Sequence, residues 1–254
     1  MENNIKEGYW IVNTNYGSFL TDVQDFIGNK IFHNHVWEPN ILDLYKSILQ
    51  PHYVVLDIGA HMGFHTINFG FYSKQVYAFE PQLPLYNQLC GNVFLNKLNE
   101  KITCFNVGLG ETNKKSSFGS LEKHNSLNWD GNWDIELINY GGRSLEDNLE
   151  INDIEIKTLD SFNLSPHFIK IDVEGYELKT LQGAKKTLEI NYPIILFESF
   201  PEYQKDVFKY LETIGYKLIT IPNTDLGVDF IAIHPKFEDY LNIKNYLLKF
   251  GNVK

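Results

Sequence analysis

Val54-Val55-Leu56-Asp57-Ile58-Gly59-Ala60-His61-Met62-Gly63 decides the fold. The continuous apolar run Tyr53–Ile58 has the pattern of a strand buried on both faces of a parallel sheet. Glycines at G-x-x-x-G spacing then predict a tight turn into a helix over about His61–Tyr72. Gln75–Phe79 repeats the strand pattern, Leu83–Leu98 the helix, and Ile102–Val107 gives a third strand. This βαβαβ order predicts an α/β, Rossmann-like fold with helices on both faces of the sheet.

Further along, His167–Asp172 and Pro193–Phe197 read as strands, each followed by a helix, Glu177–Leu188 and Pro201–Ile214. Tyr216–Ile221 and Val228–Ile233 close the series as a hairpin-like pair, which makes a mostly parallel seven-stranded sheet. Between 108 and 157 periodicity is lost, and a stretch this long is read as a substrate-side insertion. Trp129 and Trp133 inside it suit either an aromatic floor for a sugar ring or a small core under the loop. Residues 1–50 read as an N-terminal cover: a hairpin around Asn15-Tyr16-Gly17, then a helical pattern in Ile41, Leu42, Leu44, Tyr45, Ile48 and Leu49 that Pro51 ends.

The glycine turn carries chemistry. Gly59 is expected to let backbone approach a ligand, Gly63 to let the helix pack closely, and the helix N-terminus to offer free N–H groups, Ala60 and His61 lying between them. Asp57 separates this turn from a dinucleotide site, because a carboxylate there repels a pyrophosphate. It suits the cationic ammonium end of S-adenosylmethionine, directly or through water. Glu80, in Phe79-Glu80-Pro81, stands at the carboxyl end of the second strand, where a carboxylate accepts both ribose hydroxyls. Asn106, ending the third strand, is expected on the adenine side or as a turn former.

A second acidic cluster lies in Phe168-Ile169-Lys170-Ile171-Asp172-Val173-Glu174-Gly175-Tyr176-Glu177. Asp172 and Glu174 share a face by the period of two, and Glu198 ends the next strand. Glu177 is read as a complement to its helix dipole. Acids at four strand ends crowd one another's pKa upward or recruit a cation. Either outcome helps an alcohol lose its proton while it attacks an electrophilic methyl. Glu174 is the preferred general base, with Asp172 placing substrate or cofactor and Glu198 completing the pocket. A divalent metal is possible and undetermined; His33 and His35 make only a weak pair for one.

Taken together, Val54–Gly63, Phe79-Glu80-Pro81, Thr158-Leu159-Asp160-Ser161, Phe168–Glu177 and Pro193–Glu198 resemble the successive motifs of the FkbM-type methyltransferases. Trp37-Glu38-Pro39 resembles the family's acidic motif ahead of the first strand, and Asn139–Leu145 its polar glycine segment. The resemblance covers most of the chain. It implies a class I methyltransferase domain over 51–254 that binds S-adenosylmethionine at the Asp57 turn, Glu80 and Glu38, and O-methylates sugars or polyketide hydroxyls. One departure is His61, where the family usually has Asn.

Bulk properties narrow the partners. With 254 residues, 43% apolar, the chain can bury one large core. A net charge of −10 and a single arginine, Arg143, read as a solvated loop cation, disfavour nucleic acid. Cys90 and Cys104 read as reduced core thiols, which suits a cytoplasmic setting. No apolar run approaches the ~18 residues of a membrane span. The expected acceptor is a saccharide or other small alcohol. Nitrogen or carboxylate methylation, and a module that binds the cofactor without catalysis, are the alternatives; an NAD-dependent dehydrogenase is disfavoured for want of G-x-G-x-x-G. Oligomeric state is not legible.

Overall fold

The computed structural model describes residues 8–118, 122–126, 135–143, 145–146, 154–221 and 229–247. Trp129 and Trp133 fall outside them. A hairpin of β1 (Tyr9–Thr14) and β2 (Gly17–Asp22) leads to α1 (Phe26–Asn34) and α2 (Pro39–Ile48). Then β3 (Val54–Ile58), α3 (Phe64–Tyr72), β4 (Gln75–Phe79), α4 (Leu83–Leu95) and β5 (Ile102–Phe105) form the expected βαβαβ unit. After the intervening segment come β12 (Phe168–Ile171), α5 (Glu177–Gln182), α6 (Lys185–Asn191), β13 (Ile194–Glu198), α7 (Pro201–Thr213), β14 (Lys217–Thr220), β15 (Asp229–Ile233) and α8 (Tyr240–Leu247).

The seven-stranded sheet runs in the order β14-β15-β13-β12-β3-β4-β5. Neighbours from β13 to β5 pair in parallel, while β15 is antiparallel to both β13 and β14. The final two strands therefore pair as read from sequence, but the last one turns back between its predecessor and β13. Order reverses between β3 and β12, and a crevice at their carboxyl ends follows from that switch.

Strand side chains alternate between two apolar layers. Val55, Phe168, Ile194 and Leu196 face one layer with α2, α3 and α4 residues such as Tyr45, Phe69 and Leu89. Leu56, Ile58, Ile169, Ile171, Ile195 and Phe197 face the other with Leu181, Leu188, Val207 and Leu211 of α5, α6 and α7. This double burial explains the unbroken apolar runs, each large side chain contributing about 1.5–3 kcal/mol. Because Ile41, Leu42, Tyr45 and Ile48 of α2 belong to the first layer, the N-terminal segment shares the main core.

The hairpin docks by a different device. Gln88, Asn92 and Asn96 recur every four residues along α4 and so share one face. Leu20 N donates to Asn92 Oδ1 (2.6 Å), Gln88 Nε2 to Leu20 O (2.6 Å), Ser18 N to Asn96 Oδ1 (2.9 Å) and Asn96 Nδ2 to Ser18 O (2.7 Å). A row of helix amides thus pairs with the free edge of β2 as a strand would.

The 108–157 segment is less irregular than its lost periodicity predicts. It contains β6 (Gly108–Leu109), β7 (Lys114–Phe118), β8 (Glu122–Ser126), β9 (Ile135–Asn139), β10 (Leu145–Glu146) and β11 (Ile154–Lys157). Four of these form a small sheet, β10-β7-β11-β6, and β8 pairs with β9. Strands of two to five residues are too short to leave a periodic signature. Likewise α1, nine residues ending in Phe-His-Asn, was not anticipated as a helix; Asp25 caps it, Oδ2 accepting from Gly28 N at 2.8 Å. Both cysteines are free thiols. No helix among the described residues is long and apolar enough to cross a membrane.

Candidate active site

The carboxyl ends of β3, β4, β12 and β13 open onto a cleft of about 880 Å³. Gly59, His61, Glu80, Asp172, Glu174 and Glu198 line it from the sheet side. Facing them are Phe26 and Lys30 of α1, Trp37 and Glu38 ahead of α2, and the turn Asn139–Arg143. Gln82 Nε2 donates to Tyr140 O at 2.7 Å, and Ile138 N to Gln24 O at 2.9 Å, so this turn is tied both to the Glu80 loop and to the start of α1.

Gly59 has φ 81 and Gly63 φ 91, the left-handed region that glycine enters without penalty. A Cβ on Gly59 would stand 1.7 Å from the backbone oxygen of Asp172. The glycine is therefore required by the neighbouring strand end, where the sequence reading invoked a ligand. A Cβ on Gly63 would meet Leu89 Cδ1 at 2.5 Å, which matches the expected close helix packing. Ala60 is buried in the core layer, and neither it nor Gly63 stands on the cleft wall.

Asp57 also lies beneath the surface, 1% exposed and absent from the cleft wall. Thr66 Oγ1 donates to its Oδ2, while Oδ1 has no hydrogen-bond partner. Burial raises its pKa against the opposing effects of Lys170, Thr66 and His65. Asp57 is thus a buried carboxyl group under the glycine turn, because side chains on β3 point into the sheet layers and only the turn faces the crevice.

Glu80 does face the cleft. Its Oε2 accepts from His61 N at 2.8 Å and its Oε1 from Gln82 N at 2.7 Å. Each oxygen keeps a lone pair for a ribose hydroxyl. Burial pushes its pKa up to about 7, opposed by His61 and the two backbone donors. Asn106 takes the turn-forming role: its amide donates to Glu80 O (2.9 Å) and Pro81 O (3.1 Å), fixing the turn that presents Glu80.

On the other side of the switch point, Asp172 and Glu174 both reach the cleft, but not by strand alternation, since β12 ends at Ile171. They sit in the turn that follows, Glu174 at φ 51, a costly conformation for a non-glycine residue of the kind found at functional sites. Glu177 turns back to cap that turn, Oε1 accepting from Gly175 N at 2.9 Å. Lys170 Nζ donates to Asp172 Oδ2 at 2.8 Å. Burial alone would lower the Lys170 pKa, yet Asp172, Asp57 and Glu38 outweigh it and hold the ammonium charged. Burial would raise Asp172, but Lys170 and a hydrogen bond from Glu198 bring it below its ordinary value.

Glu198 takes the opposite state. Burial, then the charges of Asp172, Asp229, Glu174 and Glu38, push it up to about 10, so it keeps its proton at neutral pH. Asp229, directly across from Glu198 in the β13/β15 register, also lines the cleft. Glu38 occupies the N-cap position of α2 with φ 44 and no side-chain capping bond; it lines the cleft, and its Oε2 lies 3.0 Å from His65 Nε2.

Lys170, Asp229 and Asp25 were not singled out in the sequence. Lys170 carried a signal, a lone charge inside an apolar strand; Asp229 and Asp25 acquire their neighbours only through register and packing. His33 and His35 are exposed and off the cleft wall. Among the described residues, the grouping His52, His167 and Glu238 has metal-ligand spacing, but it lies by Val54, at the opposite end of β3. There His167 Nδ1 accepts from Val54 N at 3.1 Å, which leaves the proton of the neutral ring on Nε2, the nitrogen a metal would need.

A family model described as the methyltransferase FkbM domain matches residues 57–218. A search of curated protein sequences returned no relative. Among solved structures, the chain is similar to methyltransferase FkbM from Methylobacillus flagellatus KT, at 18% identity and TM-score 0.52, over 73% of this chain and 44% of that one. It therefore spans less than half of that protein's length. Further similarities are to M. jannaschii TYW2 in complex with AdoMet (22% identity, 90% and 85% covered, TM-score 0.46) and to an rRNA methylase from Streptococcus thermophilus (14%, 76% and 92%, TM-score 0.46). With more than half of its residues matched by the family model, the chain belongs to the FkbM family of S-adenosylmethionine-dependent methyltransferases.

Proposed function

We propose that this protein transfers a methyl group from S-adenosylmethionine to a hydroxyl of a sugar, glycan or other small metabolite. The observation that carries this reading is the gathering of Glu80, Asp172, Glu174 and Glu198 on one wall of the cleft at the sheet's crest, with Asp172 paired to Lys170 at 2.8 Å. A carboxylate on such a wall is what proton transfer from an alcohol calls for.

The residues present fit the cofactor. Glu80, with lone pairs left over, accepts the ribose hydroxyls; the Gly59-Ala60-His61 turn packs along it, with Asp57 and Gly63 supporting from below; Glu38 and Asp172 offer negative charge to its ammonium. When bound, S-adenosylmethionine supplies an electrophilic methyl on a sulfonium. Glu174, in its left-handed turn on the cleft wall, would take the proton of the acceptor hydroxyl as that oxygen is methylated. Glu198 donates to Asp172 and keeps it in place. Phe26, Trp37, Phe118 and Phe200 on the same walls suit the apolar face of a sugar ring. The net charge of −10 supports a small acceptor in preference to a nucleic acid.

A radiolabelled methyl donor offered with nucleotide sugars, free glycans and amines tests this. Label on a sugar hydroxyl, lost about 10²–10⁴-fold in Glu174→Ala, is expected. Label on an amine that survives that substitution would replace the O-methyl reading, and tight cofactor binding with no transfer to any class would favour a non-catalytic module.

A further inference from the structure

We propose that Asp25 is a positioning residue for the cofactor-binding carboxylate, acting through His61 on Glu80. The inference rests on the reading of Glu80 as the ribose acceptor, and it concerns a side chain outside the motifs that carry that reading.

Asp25 stands where three segments meet. Its Oδ2 caps α1 through Gly28 N at 2.8 Å, and it forms an isolated parallel bridge with Ile138 of β9. Its Oδ1 lies 3.7 Å from His61 Nε2. Asp25 is 2% exposed, and Oδ1 and both ring nitrogens of His61 have no hydrogen-bond partner among the described residues. Buried polar atoms without partners are uncommon, and here the orphans face each other as acid and base across one gap.

From His61 the chain of contacts continues to Glu80. The His61 backbone N–H donates to Glu80 Oε2 at 2.8 Å, and His61 itself holds φ 51. A histidine needs a reason to stay in that conformation, and the Asp25 carboxylate 3.7 Å from its ring offers one. Charge travels the same route. The groups that face the imidazole are Asp25 from the α1 cap, Glu80 from the end of β4 and Asp172 from beyond β12, with Lys30 and Arg143 elsewhere on the cleft wall. Burial disfavours the charged ring, and these carboxylates outweigh it, so the imidazole's pKa lies above its ordinary value. An imidazolium beside Glu80 in turn favours the ionised carboxylate, which opposes the effect of burial there. An ionised Glu80 can accept from both ribose hydroxyls without first losing a proton.

Asp25→Asn isolates this role. Asparagine is as good an N-cap as aspartate, so α1 and the bridge to β9 survive while the charge facing His61 is removed. Titration calorimetry of the full chain with S-adenosylmethionine from pH 6 to pH 9 should show Asp25→Asn binding about tenfold more weakly at pH 6, the gap narrowing to about twofold or less at pH 9, where Glu80 is ionised in both proteins. His61→Asn, which retains the backbone donor and tolerates the left-handed conformation, should give the same profile, and the double variant no further loss. A loss of equal size at every pH, additive effects of the two substitutions, or unchanged affinity would overturn the inference while leaving Glu80 as cofactor carboxylate. Failure of the wild type to bind would bring down the cofactor reading itself.

Discussion

Lys170 Nζ lies 2.8 Å from Asp172 Oδ2, with the lysine side chain 7% exposed and the aspartate 31%. The lysine projects from a strand that is otherwise Phe168, Ile169 and Ile171, in register with Asp57 on β3. Two anions thus share one buried cation, and removing that cation leaves both uncompensated. Lys170→Met is expected to cost about 3 kcal/mol of stability in a denaturant titration, and Lys170→Met/Asp172→Asn to recover part of it. Equal stability of the single variant and the wild type would mean the pair is screened as a surface contact is.

Glu198 gives a pH dependence of definite sign. Its pKa in the folded protein is about 10 against an ordinary value of 4.5. A group raised in this way stabilises fully below its unfolded value, and that contribution is lost as pH climbs from there toward 10. Glu198→Gln, which mimics the protonated form, should therefore match the wild-type melting temperature to within about one degree near pH 4.5 and exceed it by a margin that widens with pH, already several degrees at pH 6 and about 10 degrees or more at pH 9. A variant less stable than the wild type at pH 9 would show the carboxylate to be favourably held there.

Asp160 belongs to a family motif, yet its contacts are architectural. It lies in a 3₁₀ turn, Leu159–Phe162, and accepts from Lys186 N (2.9 Å), Thr187 N (2.8 Å) and Thr187 Oγ1 (2.8 Å) at the start of α6. That helix has no cap from its own N-terminal neighbour, Ala184. Asp160→Ala should lower stability by about 2 kcal/mol and leave cofactor affinity within about twofold. A large loss of affinity without a loss of stability would reverse the assignment.

The sheet was legible because burial on both faces leaves unbroken apolar runs, and the glycine turn because its two left-handed glycines admit nothing else. Glu80, Glu174 and Glu198 were legible as strand-end acids, since position in an α/β sheet fixes which end carries the crevice. The burial of Asp57 was not legible, because a side chain one residue inside the strand end belongs to the sheet's interior. For Asn106 two readings stood open, and its amide takes the turn-forming one, on the backbone beside Glu80. Asp229 and Asp25 could not be found from sequence: one becomes part of the site through antiparallel register with Glu198, the other through a contact that spans the 36 positions between 25 and 61.

At the centre stands the claim that the crest of carboxylates holds S-adenosylmethionine with its ribose on Glu80. Calorimetric titration of the wild type and Glu80→Ala at pH 8, where the carboxylate is largely ionised, measures it directly. The account predicts one cofactor bound per chain and a loss of tenfold or more in the variant, about 1.4 kcal/mol at the least. Equal affinity in the two proteins would contradict it.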